Sequence, residues 1–270
     1  MTSEDQGPAG IDTSVAHPAR RYDYWLGGTV NFAADRASGD AIAAAFPRTR
    51  TAAVENRKFL RRAVSWLHAA GIRQFLDVGT GIPGAGNVHE VAPDSAVVYV
   101  DNDPIVLRYA SPLMTRRTTY LEGDLRSPSS ILSRAPLDFD RPVGLLLLSV
   151  LHFVEDRDSP YAHVAELVDA LAPGSYLALT HGTVDHQTPA ELEAMAPIMA
   201  STPGQFRSHA EVSRFFDGLS LVPPGLVSIS DWQPSEPSEP AGSSEPAGPP
   251  EALRPTPAEV AMWGGIGAKP

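Results

Sequence analysis

Cysteine is absent from this chain. That rules out disulfides, a catalytic thiol and a thiolate-held metal. Positive charge is scarce, with 21 Lys and Arg against 32 Asp and Glu for a net charge of -11. Nucleic-acid binding needs a broad basic face, so no such partner is expected. The basic cluster Arg57, Lys58, Arg61 and Arg62 is read first as a solvated helix face. Long apolar runs are missing too. The longest, Val143 to Leu151, is too short to cross a bilayer. Met1 to Ala16 has no apolar core and is not read as a signal peptide. A cytoplasmic protein without membrane contact is the resulting expectation.

The 43% hydrophobic content of the 270 residues is enough for a real core. Residues 1–16 read as a flexible tail. Residues 17–72 read as an N-terminal helical cap, with helical spacing of Val54, Leu60, Val64 and Leu67 and a stop at Gly71. From residue 73 strand and helix alternate. Strands are expected at Gln74–Val78, Ala96–Val100, Thr118–Glu122, Pro142–Leu148, Ser175–Thr180 and Leu226–Trp232, with a final one over Glu259–Trp263. Helices are expected at Gly84–Val91, Pro104–Met114, Ala162–Leu171, Pro189–Met199 and Ser208–Phe216. Such alternation predicts an α/β fold with a mostly parallel, doubly wound, Rossmann-like sheet. Residues 73–270 would form one domain, interrupted by a flexible Pro/Ser/Glu loop over 233–258 in which Ser-Glu-Pro recurs at Ser235, Ser238 and Ser244.

The chemistry is concentrated at the strand ends. Phe75-Leu76-Asp77-Val78 runs into Gly79-Thr80-Gly81-Ile82-Pro83-Gly84, a strand entering a glycine turn that fits G-x-G-x-x-G. Glycine lets a ligand approach the backbone. A dinucleotide site has the same pattern, but its pyrophosphate would be repelled by Asp77. A sulfonium ligand with an α-ammonium reverses that sign, so Asp77 favours S-adenosylmethionine. The plain alternative is that Asp77 merely caps the turn. Asp101, about twenty residues beyond the glycines, is placed to accept ribose hydroxyls. Asn102 extends this towards the adenine side, whereas Asp103 is read as the N-cap before Pro104. Asp124, with Leu125 beside it, suits the adenine amino group, although a simple Gly-Asp turn competes. Ser149 closes strand four, and His152 just beyond it is the candidate catalytic group, against a plain wall-lining role. His181 and His186, with Asp185, do not assemble a ligand set, and no metal is expected. Tyr22, Tyr24 and Trp25 are candidates for closing the pocket or lining the acceptor site. Arg57 and Arg61, one helical turn apart, could receive an acceptor carboxylate.

Together these motifs resemble the class I S-adenosylmethionine-dependent methyltransferases. More narrowly, the chain resembles an actinobacterial methyltransferase family of unassigned substrate, formerly a domain of unknown function. The resemblance rests on Arg21-Tyr22-Asp23-Tyr24-Trp25-Leu26-Gly27-Gly28 with Asn31-Phe32, then Asn56-Arg57-Lys58-Phe59-Leu60, Asp77-Val78-Gly79-Thr80-Gly81-Ile82-Pro83, Tyr99-Val100-Asp101-Asn102-Asp103-Pro104 and Trp263-Gly264-Gly265-Ile266-Gly267. It implies a seven-stranded sheet with an antiparallel last strand. It also implies that Gly79, Thr80 and Gly81 meet the methionine part, Asp101 the ribose and Asp124 the adenine. The expected reaction is in-line methyl transfer to a small-molecule acceptor, leaving S-adenosylhomocysteine. Two rivals stand beside it: a non-catalytic sensor of the same cofactor, and an NAD-dependent dehydrogenase. Oligomeric state is not legible.

Overall fold

The computed structural model describes residues 11–201, 204–235, 237 and 254–270. Residues 1–10 of the tail expected over 1–16 and most of the Pro/Ser/Glu loop, residues 238–253, lie outside them.

Five parallel strands make the centre of the sheet. β1 (Gln74–Val78), β2 (Ala96–Asp101), β3 (Thr118–Glu122), β4 (Gly144–Leu148) and β5 (Tyr176–Gly182) lie in the order β3-β2-β1-β4-β5. Two short segments, β6 (Ser220–Leu221) and β7 (Val227–Ser228), both pair antiparallel with β8 (Met262–Ala268), which in turn pairs antiparallel with β5. Since β6 and β7 share one edge of β8, the eight segments fill seven positions. The ligand-binding switch point of such a sheet lies where β1 and β4 adjoin, at the carboxyl ends of the strands.

Side-chain parity sorts the core. Phe75, Val97, Tyr99, Leu146 and Leu148 face one layer, while Leu76, Val78, Val98, Val100, Leu145 and Leu147 face the other. Both layers are helix-covered, so the Leu run of β4 is buried throughout. Each such side chain contributes about 1.5–3 kcal/mol by leaving water.

Three helices precede the sheet: α1 (Pro18–Trp25), α2 (Ala33–Ala45) and α3 (Thr49–Ala69). Phe59, Leu60, Ala63, Val64 and Leu67 form one buried stripe on α3 and pack with Phe75, Ile229 and Trp232. A Schellman ending stops this helix. Gly71 at φ +95° donates to the His68 carbonyl at 3.1 Å and Ile72 to the Leu67 carbonyl at 3.0 Å. After β1 come α4 (Val88–Val91), α5 (Pro104–Ala110), α6 (Pro128–Arg134) and α7 (Pro160–Asp169). Beyond β5 lie α8 (Pro189–Ser201), α9 (His209–Ser213) and α10 (Pro257–Val260).

Several boundaries differ from the sequence reading. The helix expected over Gly84–Val91 is the single turn α4, because Gly86 at φ +78° keeps the preceding segment a loop. Leu226–Trp232 contributes only β7, and the helix expected over Ser208–Phe216 divides into α9 and a 3₁₀ turn at Arg214–Phe216. The last strand runs from Met262, not Glu259. Pro257–Val260 is instead helical, held by a capping box in which the Glu259 backbone N–H donates to Thr256 Oγ1 at 3.4 Å and the Thr256 backbone N–H donates to the Glu259 carboxylate at 2.8 Å.

Candidate active site

A cavity of about 510 Å³ opens at the carboxyl ends of β1, β2 and β4, beneath α1 and α2. Its size is in the range that houses small ligands and cofactors, about 300–1,000 Å³. Every cofactor residue singled out from sequence lines it: Asp77, Gly79, Thr80, Gly81, Asp101, Asn102, Asp124, Leu125 and Ser149. Tyr22, Arg57 and His152 line it as well. Tyr24 is not among the lining residues. Its hydroxyl donates to Asp40 at 2.8 Å and its ring lies under the Arg50 guanidinium at 4.8 Å, so it braces α1 against α2 and α3 from outside.

The glycine turn is stitched to the end of β2. Gly79 N–H donates to the Val100 carbonyl at 2.8 Å, and Gly81 N–H to Asp101 Oδ2 at 2.7 Å. Both glycines have positive φ, +77° and +69°. A Cβ on Gly79 would overlap the Val150 side chain, while one on Gly81 would meet open space. A ligand can therefore lie against this backbone.

Asp77 ends β1 almost out of solvent, at 4% exposure. Burial pushes its carboxyl up to about 7, against the opposing influence of the Arg57 charge and the Thr80 hydroxyl, which donates to Oδ2 at 3.3 Å. Such a carboxyl is short of positive charge, which the α-ammonium of S-adenosylmethionine would supply. Asp101 is also buried, and burial raises it as well. Its two oxygens accept from Gly81 N–H and, at 2.9 Å, from Asp103 N–H, leaving a lone pair on each for a hydroxyl. Asp103 is the N-cap of α5, accepting from Ile105 N–H at 2.9 Å, and its other oxygen holds Arg20 at 3.2 Å and His17 at 3.1 Å. That cluster anchors α1 to β2. Asp124 lines the cavity while also closing an Asp-x-Arg turn, accepting from Arg126 N–H at 2.8 Å. The residues present thus fit the cofactor.

At the β4 end, Ser149 sits at φ +59°. A non-glycine residue there costs roughly 1–2 kcal/mol, and the cost is met by a relay. Ser149 N–H donates to Thr180 Oγ1 at 2.9 Å, Thr180 to Asn56 Oδ1 at 2.7 Å, and Asn56 Nδ2 to the Tyr22 hydroxyl at 3.0 Å. Tyr22 in turn donates to the Ala53 carbonyl at 3.0 Å. Sequence reading missed Asn56 and Thr180 in this role, because nothing in either motif shows that they meet. His152 is pushed down to about 3 by burial, with the charges of Arg207 and Arg21 and the ring of His181 acting the same way. It is neutral at physiological pH and a weak base. Its Nδ1 has no hydrogen-bond partner.

Arg57 lies at the glycine-turn end. It donates to Asn87 Oδ1 at 2.8 Å and approaches Gly84. The far wall is supplied by Met195 and Met199 of α8 and by Gly204, Gln205 and Phe206. This wall is pinned by Arg207, wholly buried, which donates to Asp156 at 2.7 Å, to the Leu151 carbonyl at 3.2 Å and to His181 Nε2 at 2.9 Å. His181 spends Nδ1 on the Gly182 carbonyl at 2.7 Å. Among the described residues no group of three His, Cys, Asp or Glu is arranged to hold a metal ion. No helix among them is long and apolar enough to cross a membrane.

A sheet of this order with a glycine turn, an acid at the end of β1 and another at the end of β2 defines a Rossmann-like nucleoside-binding protein. The chain belongs to the S-adenosyl methyltransferase family, whose model matches residues 4–270, and is an S-adenosylmethionine-dependent methyltransferase. It is 41% identical to a DUF574 family protein from Streptomyces avermitilis MA-4680, with a TM-score of 0.85 over 96% of this chain and 99% of that one. A protein from Thermobifida fusca YX, provisionally described as a methyltransferase, is 39% identical, with a TM-score of 0.82 over 97% and 98% of the two chains. An O-methyltransferase family protein from Burkholderia thailandensis shares the fold at 16% identity, with a TM-score of 0.51 over 82% of this chain and 59% of that one. No curated protein matches the chain.

Proposed function

We propose that this enzyme methylates a small-molecule acceptor inside the cavity, with residues 17–72 serving as a cap over a methyltransferase domain spanning 73–270. The observation that carries the reading is Asp77, a buried carboxyl beside a bare glycine turn. S-adenosylmethionine, when bound, supplies an electrophilic methyl group on a sulfonium. Asp77 would attract its ammonium and Arg57, close by, its carboxylate. Asp101 would take the ribose hydroxyls, and Asn102, Asp124 and Leu125 the adenine. Gly79, Thr80 and Gly81 give the backbone surface for the methionine part, and Ser149 closes it from the β4 side.

The remaining residues position and dehydrate. His152, uncharged and with Nδ1 unpartnered, would hold an acceptor by a hydrogen bond instead of gathering its proton, which passes to solvent. Tyr22, Trp25 and Phe206 exclude water from the reacting atoms. Catalysis by alignment and dehydration needs no strong base. The test is calorimetry with S-adenosylhomocysteine and with NAD, then incubation with a labelled methyl donor and a whole-cell extract that is afterwards separated into small molecules and macromolecules. Tight binding of the first ligand alone and a product heavier by one methylene support the proposal. Labelling confined to macromolecules would overturn the small-molecule acceptor.

A further inference from the structure

One wall of the cavity holds a cation that no acid among the described residues receives. Arg21, on α1, is 6% exposed and lines the cavity. Its Nε has no hydrogen-bond partner, and Nη1 reaches only the Ser38 hydroxyl, at 3.5 Å. No carboxylate of the described residues lies within 4.0 Å of it. Asp35 is the acid whose charge it feels, but Asp35 is occupied: it accepts from His17 N–H at 2.8 Å and Phe32 N–H at 2.9 Å and lies 3.6 Å from Arg20. Removing a guanidinium from water without a counter-ion is costly, and the cost is recovered only if something else brings the anion.

The surroundings say what else that molecule carries. His152, close enough for the Arg21 charge to act on it, lines the same cavity, and its buried Nδ1 has no partner. Large apolar side chains line the cavity as well: Trp25, Phe46, Met195, Met199 and Phe206. Methionine adapts to varied outlines, and flat aromatic faces favour flat ligands. Arg57 stands at the other end, with Asp77 and Asn87, so the two cations serve different parts of the cavity.

We propose that the methyl acceptor is a small aromatic carboxylate, its carboxylate held by Arg21, its ring lying among Trp25, Phe46 and Phe206, and a polar substituent at His152. A guanidinium fork matches a planar carboxylate in two parallel hydrogen bonds, which gives direction as well as charge. This rests on the reading of the same cavity as a methyl-transfer site.

The test uses matched acid and amide pairs, so that shape is constant and charge is not: benzoate and benzamide, indole-3-acetate and indole-3-acetamide, 3-phenylpropionate and its amide. Binding to the full chain is measured by calorimetry with S-adenosylhomocysteine present and absent. In the unaltered protein at least one acid is expected to bind about tenfold or more tightly than its amide. Arg21→Met should abolish that preference and Arg21→Lys retain part of it, with S-adenosylhomocysteine affinity equal in all three. Acids and amides binding alike across the panel would overturn the proposal, and that comparison stands even if Arg21→Met does not fold. So would an Arg21→Met variant that keeps the preference, or one that loses S-adenosylhomocysteine affinity, since Arg21 would then serve the cofactor. Failure of S-adenosylhomocysteine to bind the unaltered protein strikes the methyl-transfer reading instead, and an acid preference seen without it would still locate the anion at Arg21.

Discussion

Replacing Asp77 by Asn should make the ligand-free enzyme more stable and the cofactor site worse. In the unfolded chain the Asp77 carboxyl ionises near 3.8, whereas burial at the end of β1 raises it to about 7. Between those values the folded protein keeps a proton that the unfolded chain has lost. The stability of the ligand-free protein therefore falls as pH climbs from about 4 to 7, and levels off above. At about 1.4 kcal/mol per pH unit the accumulated cost at pH 8 is roughly 4 kcal/mol. Asn has the same outline, still offers an oxygen to the Thr80 hydroxyl, and carries no charge to desolvate. Urea unfolding of both proteins at pH 8 should show Asp77→Asn more stable by up to about 4 kcal/mol, with the gap closing towards pH 4. Calorimetry should show the opposite for S-adenosylhomocysteine, whose ammonium loses its counter-charge. In the unaltered protein near pH 6.5 binding should release a proton, visible as a dependence of the apparent enthalpy on the buffer. A variant that is less stable at pH 8, or that binds S-adenosylhomocysteine undiminished, would refute the reasoning.

Three further outcomes follow from the same geometry. Gly79→Ala combines a positive φ with overlap onto Val150 and should cost roughly 2–4 kcal/mol, against about 1 kcal/mol for Gly81→Ala in open space, measured as the shift in urea midpoint. Asn56→Ala should remove about 1–3 kcal/mol of stability by stranding the buried Thr180 hydroxyl and taking one of the two partners of the Tyr22 hydroxyl, and should weaken turnover more than S-adenosylhomocysteine binding. Because burial holds His152 at about 3, the pH profile of turnover between pH 5 and 9 should contain no inflection that disappears in His152→Gln.

How far the sequence was readable can be argued from single elements. β1 and β4 announce themselves because both faces are covered and every residue is buried, with Gln74 and Asp77 of β1 the polar exceptions. Asp77 and Asp101 were legible as a pair, because both are anchored to strand ends whose separation is set by one helix crossover. β8 was misplaced for the opposite reason. Its glycines argue against a strand by propensity, yet each is required by a neighbour: a Cβ on Gly267 would stand 2.8 Å from Phe216 and one on Gly265 3.0 Å from the Gly225 carbonyl. Thr256 and Glu259 carry the spacing of a capping box, a signal that was present and unread. The far end of the cavity was least legible. Arg21, His152, Met195 and Phe206 come from four distant segments, and only the fold brings them around one cavity.

The placement of β8 bears on how the chain assembles. The 220–228 stretch is made before residues 262–268, yet reaches the sheet only across them. Until that late ribbon slides in beside β5, the earlier pieces have no ladder to join and β5 stands as an open border, a sticky one for passing strands. Bulk introduced at Gly264 or Gly267 should therefore show first as clumping during synthesis, well before any loss of affinity in whatever fraction matures.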